Sequence, residues 1–166
     1  MKLKNFIFAL VFIGALGGFG HFFYNWSDKN TIVGYFFPVN ESIWEHLKLL
    51  FFPTVLFSII EYFAIKDKVS GYAPSVAISL MVGLMTIVTI FYTYSGVLGF
   101  KIEWFNIAIY YIALIVMLII KWLLLNSDII NGRLATILSL VWFLAMAIMF
   151  VVFTYNPLEY GIFEKP

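Results

Sequence analysis

The sequence predicts an all-α, polytopic membrane protein: five transmembrane helices in one integral domain over residues 1–166, N-terminus inside and C-terminus outside. Three observations carry this. Charged residues make up 11% of the chain and hydrophobic ones 63%, whereas a soluble domain covers its surface with about 25% charged residues. The apolar residues fall in runs of about twenty, long enough to cross roughly 30 Å of hydrocarbon as helices. The breaks between runs are short, with no low-complexity linker and no internal repeat.

The first predicted span, 5–26, follows the basic start "MKLK". Small residues near Ala15 to Gly18 imitate a signal-peptide cleavage site, but the apolar run continues to Trp26, which favours a permanent helix. The second, 44–65, begins in the polar stretch "PVNESIWEHLKLL" and ends at "KDK". The third, 74–94, opens on Pro74, harmless in a first helical turn whose N–H groups have no partner. The fourth, 104–125, stops at "NSDIINGR", and the fifth, 134–155, stops at "NP".

Orientation rests on the positive residues. With the N-terminus inside, that side holds Lys2, Lys4, Lys66, Lys68, Lys121 and Arg133; the other holds Lys29, Lys48, Lys101 and Lys165. Trp26, Trp44 and Trp104 then fall at the outer interface and Trp122 at the inner one, with Tyr24, Tyr35, Tyr72 and Tyr94 near span ends, as an aromatic belt requires. A net charge of +1 offers no basic face for nucleic acid. The expected partners are the bilayer and, since five helices are few for a transporter, a second copy of the chain. The absence of cysteine removes disulfides, thiolate metal sites and cysteine nucleophiles.

The polar stretch at the start of the second span is where chemistry concentrates. Asn40, Glu41, Ser42, Trp44, Glu45, His46 and Lys48 lie there, and His21 approaches the same end from the first span. "SIWE" fits a capping box, with Ser42 as cap and Glu45 reaching back to the Ser42 N–H. Glu45 and Lys48, three apart, are expected to pair on the surface of one turn. Capping explains neither His46 nor Glu61. These two are fifteen residues apart, about 60° of rotation and roughly 22 Å of rise, so His46, Leu50, Pro53, Phe57 and Glu61 share one helix face. Glu61 is either a boundary residue snorkelling to the interface or a buried, paired group. Pro53 should free the carbonyl of Leu49. The third span adds a stripe of Ser75, Ser79, Gly83, Thr86 and Thr93, and the fourth a face of Asn106, Tyr110, Ala113, Met117 and Lys121. Gly14 and Gly18 have the spacing of close helix packing. Asn106 is a candidate neighbour of the cluster.

A zinc site needs three or four suitable ligands. His21, His46 and Glu41 or Glu45 could supply them, but no H-E-x-x-H spacing occurs; no cofactor is predicted, and a divalent metal stays open. No G-x-S-x-G elbow, P-loop or Gly-rich nucleotide fingerprint is present.

"GHFFYNWS" (20–27), "IVGYFFPVNESIWEHLKLLFFP" (32–53) and "IEYF" (60–63) together resemble a family of small multi-pass membrane proteins, mostly from Gram-positive bacteria, catalogued as a domain of unknown function. Its pattern resembles H-x-x-Y-x-W-S, V-N-E-S-x-W-E-H-x-K-L and I-E-Y. The motifs cover about the first 65 residues; the remainder is similar in hydropathy and length. The resemblance implies that Asn40, Glu41, Trp44, Glu45, His46 and Glu61 belong to a shared family core, and it implies no activity. The sequence therefore favours binding or passage of a small solute, ion or proton through a polar site at the outer ends of the first two spans. The alternatives are a membrane-embedded enzyme acting on a lipid or isoprenoid head group, and a structural or regulatory subunit of a membrane complex. Whether the chain is an enzyme is left open, with the balance against it.

Overall fold

A computed structural model describes residues 3–64, 71–127 and 130–164. Its elements are α1 (Leu3–Trp26), α2 (Thr31–Phe36), α3 (Ile43–Ala64), α4 (Tyr72–Leu98), α5 (Glu103–Leu125) and α6 (Arg133–Tyr155), with no strand among the described residues. Among the described residues, five of the six helices are long and apolar enough to cross a membrane. They coincide with the predicted spans except that α4 extends to Leu98, where Gly99 ends it in a left-handed conformation with its N–H bonded to the Ser95 carbonyl. Lys2, Lys66, Lys68 and Lys165, which contribute to the orientation argument, lie outside the described residues.

The remaining helix, α2, is short and fills the first connection. After α1 the chain turns through Asp28 and Lys29, both at positive φ. Asn30 then caps α2, its Oδ1 accepting from the N–H groups of Ile32 at 2.9 Å and Val33 at 3.4 Å. The apolar half of this connection leans on α6, and Gly34 is needed there. A Cβ on it would stand 2.4 Å from the Tyr155 hydroxyl and 2.7 Å from Val39.

α3 is the most enclosed span and α6 the least. α3 packs against α1, α4 and α6, while α5 pairs with α4 and α1. The core runs along α3 through Leu47, Leu50, Phe51 and Phe57, met by Leu80 and Leu84 from α4 and by Leu114, Met117 and Leu118 from α5. Gly83 lets α4 come close to α3 and α5: a Cβ there would stand 3.0 Å from both Leu50 and Met117. The outward faces of α1 (Ile7, Phe8, Val11, Phe19) and α6 (Leu138, Val141, Leu144, Ile148) expose large apolar side chains, the surface a lipid solvent requires.

Trp26, Trp104 and Trp122 are exposed, but Trp44 is not. Its ring is packed by Phe150 and Phe153 of α6 and by Phe163 of the C-terminal segment, with centroids 4.7, 5.8 and 5.0 Å away. Its backbone N–H donates to the Ile162 carbonyl at 3.0 Å. The C-terminal segment thus folds back over the start of α3 and satisfies a helix-end donor. Trp44 belongs to the core and not to the aromatic belt.

Candidate functional site

Asn40, Glu41 and Ser42 form the corner that delivers the chain into α3. The Ser42 N–H donates to Asn40 Oδ1 at 2.8 Å, closing an Asx turn. Ser42 Oγ accepts from the Glu45 N–H at 3.4 Å, the expected cap. The other half of the capping box does not form. The Glu45 carboxylate turns away and accepts from the Val39 N–H at 3.0 Å and from Lys48 Nζ at 2.7 Å.

This pair is not on the surface. Glu45 is 1% and Lys48 0% exposed, because α2, α6 and the C-terminal segment cover the turn that bears them. Lys48 Nζ also donates to the Gly34 carbonyl at 2.9 Å and to Thr154 Oγ1. An ammonium has three protons, and here each has an acceptor, from α2, α3 and α6. The pair is a buried tie between elements.

His21, Glu41 and His46 form a second group on the open side of the same end. His46 Nε2 lies 3.3 Å from Glu41 Oε2, and His21 Nε2 lies 3.7 Å from Glu41 Oε1. The imidazole centroids are 5.3 Å apart. His46 Nδ1 is 2.9 Å from the Ser42 carbonyl and donates to it, because a carbonyl only accepts. That leaves Nε2 facing Glu41, where it donates when the ring carries a second proton. The His46 hydrogen bond is the largest influence holding the Glu41 carboxyl below its ordinary value. Both histidines are about a third exposed and Glu41 is 64% exposed.

A third centre sits at the opposite end of α3. Glu61 Oε2 accepts from Lys121 Nζ at 2.5 Å and from the Tyr72 hydroxyl at 2.6 Å. The Lys121 ammonium lies over the rings of Phe57 and Tyr72, 5.4 and 5.2 Å from their centroids. Glu61 is buried, so of the two expectations for it the paired one describes its surroundings and snorkelling does not.

Residues 2–165 match the family of unknown function DUF6512. The chain belongs to this family. No curated protein and no solved structure matches it. Within this DUF6512 chain, the ten site residues read from the sequence separate into groups. His21, Glu41 and His46 face one another, with Asn40 and Ser42 shaping the corner. Glu45 and Lys48 are tied beneath it, Trp44 is core, and Glu61 is at the far end. Asn106 is held elsewhere, its Oδ1 accepting from the Tyr94 hydroxyl of α4 at 2.5 Å. The partners Lys121, Tyr72 and Thr154 carry no signal of their pairing in the sequence. Lys121 stands on the face read for the fourth span, but its pairing with Glu61 depends on how α3 and α5 are placed.

The chemistry of His21, Glu41 and His46 suits a metal. Their donor atoms all lie within 4.8 Å of one another. Ligands on a tetrahedral ion at about 2.0–2.2 Å stand about 3.3–3.6 Å apart; each imidazole is near that spacing from a different oxygen of Glu41, 3.3 Å for His46 and 3.7 Å for His21, so a shared ion would draw the three side chains together or be held by both oxygens. His46 also has the feature usual in a metal-ligating imidazole, its other nitrogen fixed on a backbone carbonyl.

Proposed function

We propose that this protein is a multi-pass protein of the cell membrane that binds a divalent transition-metal ion at His21, Glu41 and His46. The observation that carries the reading is the convergence of two imidazoles and a carboxylate from α1, α3 and the corner between them. Two nitrogens and one carboxylate suit zinc and its neighbours better than calcium or magnesium, which take all-oxygen shells.

Binding at one end is better supported than passage through the bundle. Between His46 and Glu61 the face of α3 is Leu50, Pro53 and Phe57, all buried, and Leu50 and Met117 close on Gly83. A hydrated path for an ion would need polar groups there. The buried pairs Glu45–Lys48 and Glu61–Lys121 are internally neutral and act as ties.

Zinc titration of the purified, detergent-solubilised protein should give one site per chain. His21→Ala, Glu41→Gln and His46→Ala should each weaken it by more than the roughly 10–100-fold that loss of an outer-shell partner costs. Zinc affinity unchanged in all three would refute the site.

A further inference from the structure

Building on that metal-binding reading, we infer that the centre is open: its remaining coordination position takes an exchangeable anionic oxygen ligand, a phosphate group. Three protein ligands with a free fourth position is the arrangement of metal sites that bind a water or a substrate, whereas purely structural sites are closed by four. Among the described residues, His21, Glu41 and His46 are the group able to ligate a common ion, and all three side chains are partly exposed, so a ligand from outside the bundle can reach them.

Charge selects the ligand. A divalent ion with one carboxylate and two neutral imidazoles carries a net charge of +1. The next carboxylate, Glu45, is neutralised by Lys48 through the same oxygen that accepts from Val39, so it does not oppose an incoming anion. The N-terminal end of α3, which begins at Ile43 between Glu41 and His46, adds the positive pole of a 22-residue helix. Position along α1 favours phosphate among anions. His21 is five residues before Trp26, the exposed aromatic residue that ends α1, and Trp is enriched where lipid head groups lie. A lipid head group and free phosphate offer the metal the same oxygens.

Cobalt in place of zinc makes the site visible, since its absorption bands follow coordination. Full-length protein loaded with one equivalent of Co2+ is titrated with inorganic phosphate and, separately, with dihexanoyl phosphatidic acid. The expected result is a saturable change in the cobalt bands. A change with both assigns the site to phosphate from either source, and a change with phosphatidic acid alone assigns it to a lipid head group. Cobalt bands that appear, vanish in His46→Ala and yet move with neither phosphate overturn the open position alone. If the bands never form, or survive His46→Ala, the metal reading falls and this inference with it.

Discussion

Lys48 shows what a fully enclosed charge needs. Its three donors reach Gly34, Glu45 and Thr154, and the Thr154 hydroxyl in turn donates a hydrogen bond to the Phe150 carbonyl at 2.6 Å. Removing one member of such a pair strands the other, which costs about 3–5 kcal/mol, whereas removing both charges is far milder. Lys48→Met should therefore lower the thermal midpoint in detergent sharply, and Glu45→Gln with Lys48→Met should recover much of the loss. If the double variant is as unstable as the single, the pair is not the cause. Glu41 behaves differently because it is exposed. Its carboxyl is held below the ordinary 4.5 by the His46 hydrogen bond first, and by the charges of His46 and His21. A depressed carboxyl contributes stability above its unfolded value and loses it as pH falls through the folded one. The stability gap between the parent and Glu41→Gln should thus be widest at about pH 5–6, where Glu41 is ionised and the imidazoles still carry a second proton, narrow toward alkaline pH as they lose it, and close on acidification below about pH 5. Solvent screening keeps that gap small. Thermal melts of the two proteins across this range check it; a gap that widens on acidification below about pH 5 contradicts the sign.

At the scale of elements, one proline explains a contact between three helices. Pro53 cannot donate to the Leu49 carbonyl, and a freed carbonyl inside a membrane must find a donor. The Tyr110 hydroxyl of α5 stands 3.4 Å from it and 2.9 Å from the Ile13 carbonyl of α1, one proton shared between the two. Gly17 makes room: a Cβ there would lie 2.0 Å from that hydroxyl and 2.6 Å from the Leu49 oxygen. Tyr110→Phe should cost about 1 kcal/mol, a typical net hydrogen bond. Gly17→Ala should cost about 1–3 kcal/mol through overpacking, because a backbone oxygen cannot step aside. Equal stability of Gly17→Ala and parent in thermal melts would show that α1 shifts instead. The spans, the shared face of α3 and the freed Leu49 carbonyl were legible because each follows from local periodicity or from proline itself. The burial of Glu45 and Lys48 was not. Three-residue spacing reads equally as a surface pair, and the packing of α2, α6 and the C-terminal segment over the helix start makes it interior. Tyr72 misled for a related reason, since a tyrosine near a span end fits an aromatic belt until a buried carboxylate is found beside it.

At the scale of the whole molecule, the pairings change the weight of the charges that set topology. The predicted orientation counted six positive residues on the N-terminal side against four. Lys121 and Lys48 are locked in buried pairs and face neither aqueous side, so the comparison becomes five against three. The bias survives, with Lys4 still flanking the first span. If all five long apolar helices cross, an odd number, the described ends of the chain lie on opposite faces. The Glu41 corner shares a face with the C-terminal segment, because Ile162 bonds to Trp44 at the start of α3. Since the chain has no cysteine of its own, single cysteines report without background. Lys29→Cys and Glu164→Cys should react with a membrane-impermeant maleimide on intact cells, and Lys4→Cys only after permeabilisation. If Lys4→Cys labels on intact cells while the other two do not, the bundle is inverted and the proposed metal site opens to the cytoplasm. If Lys4→Cys and Glu164→Cys label from the same face, one of the five long helices does not cross.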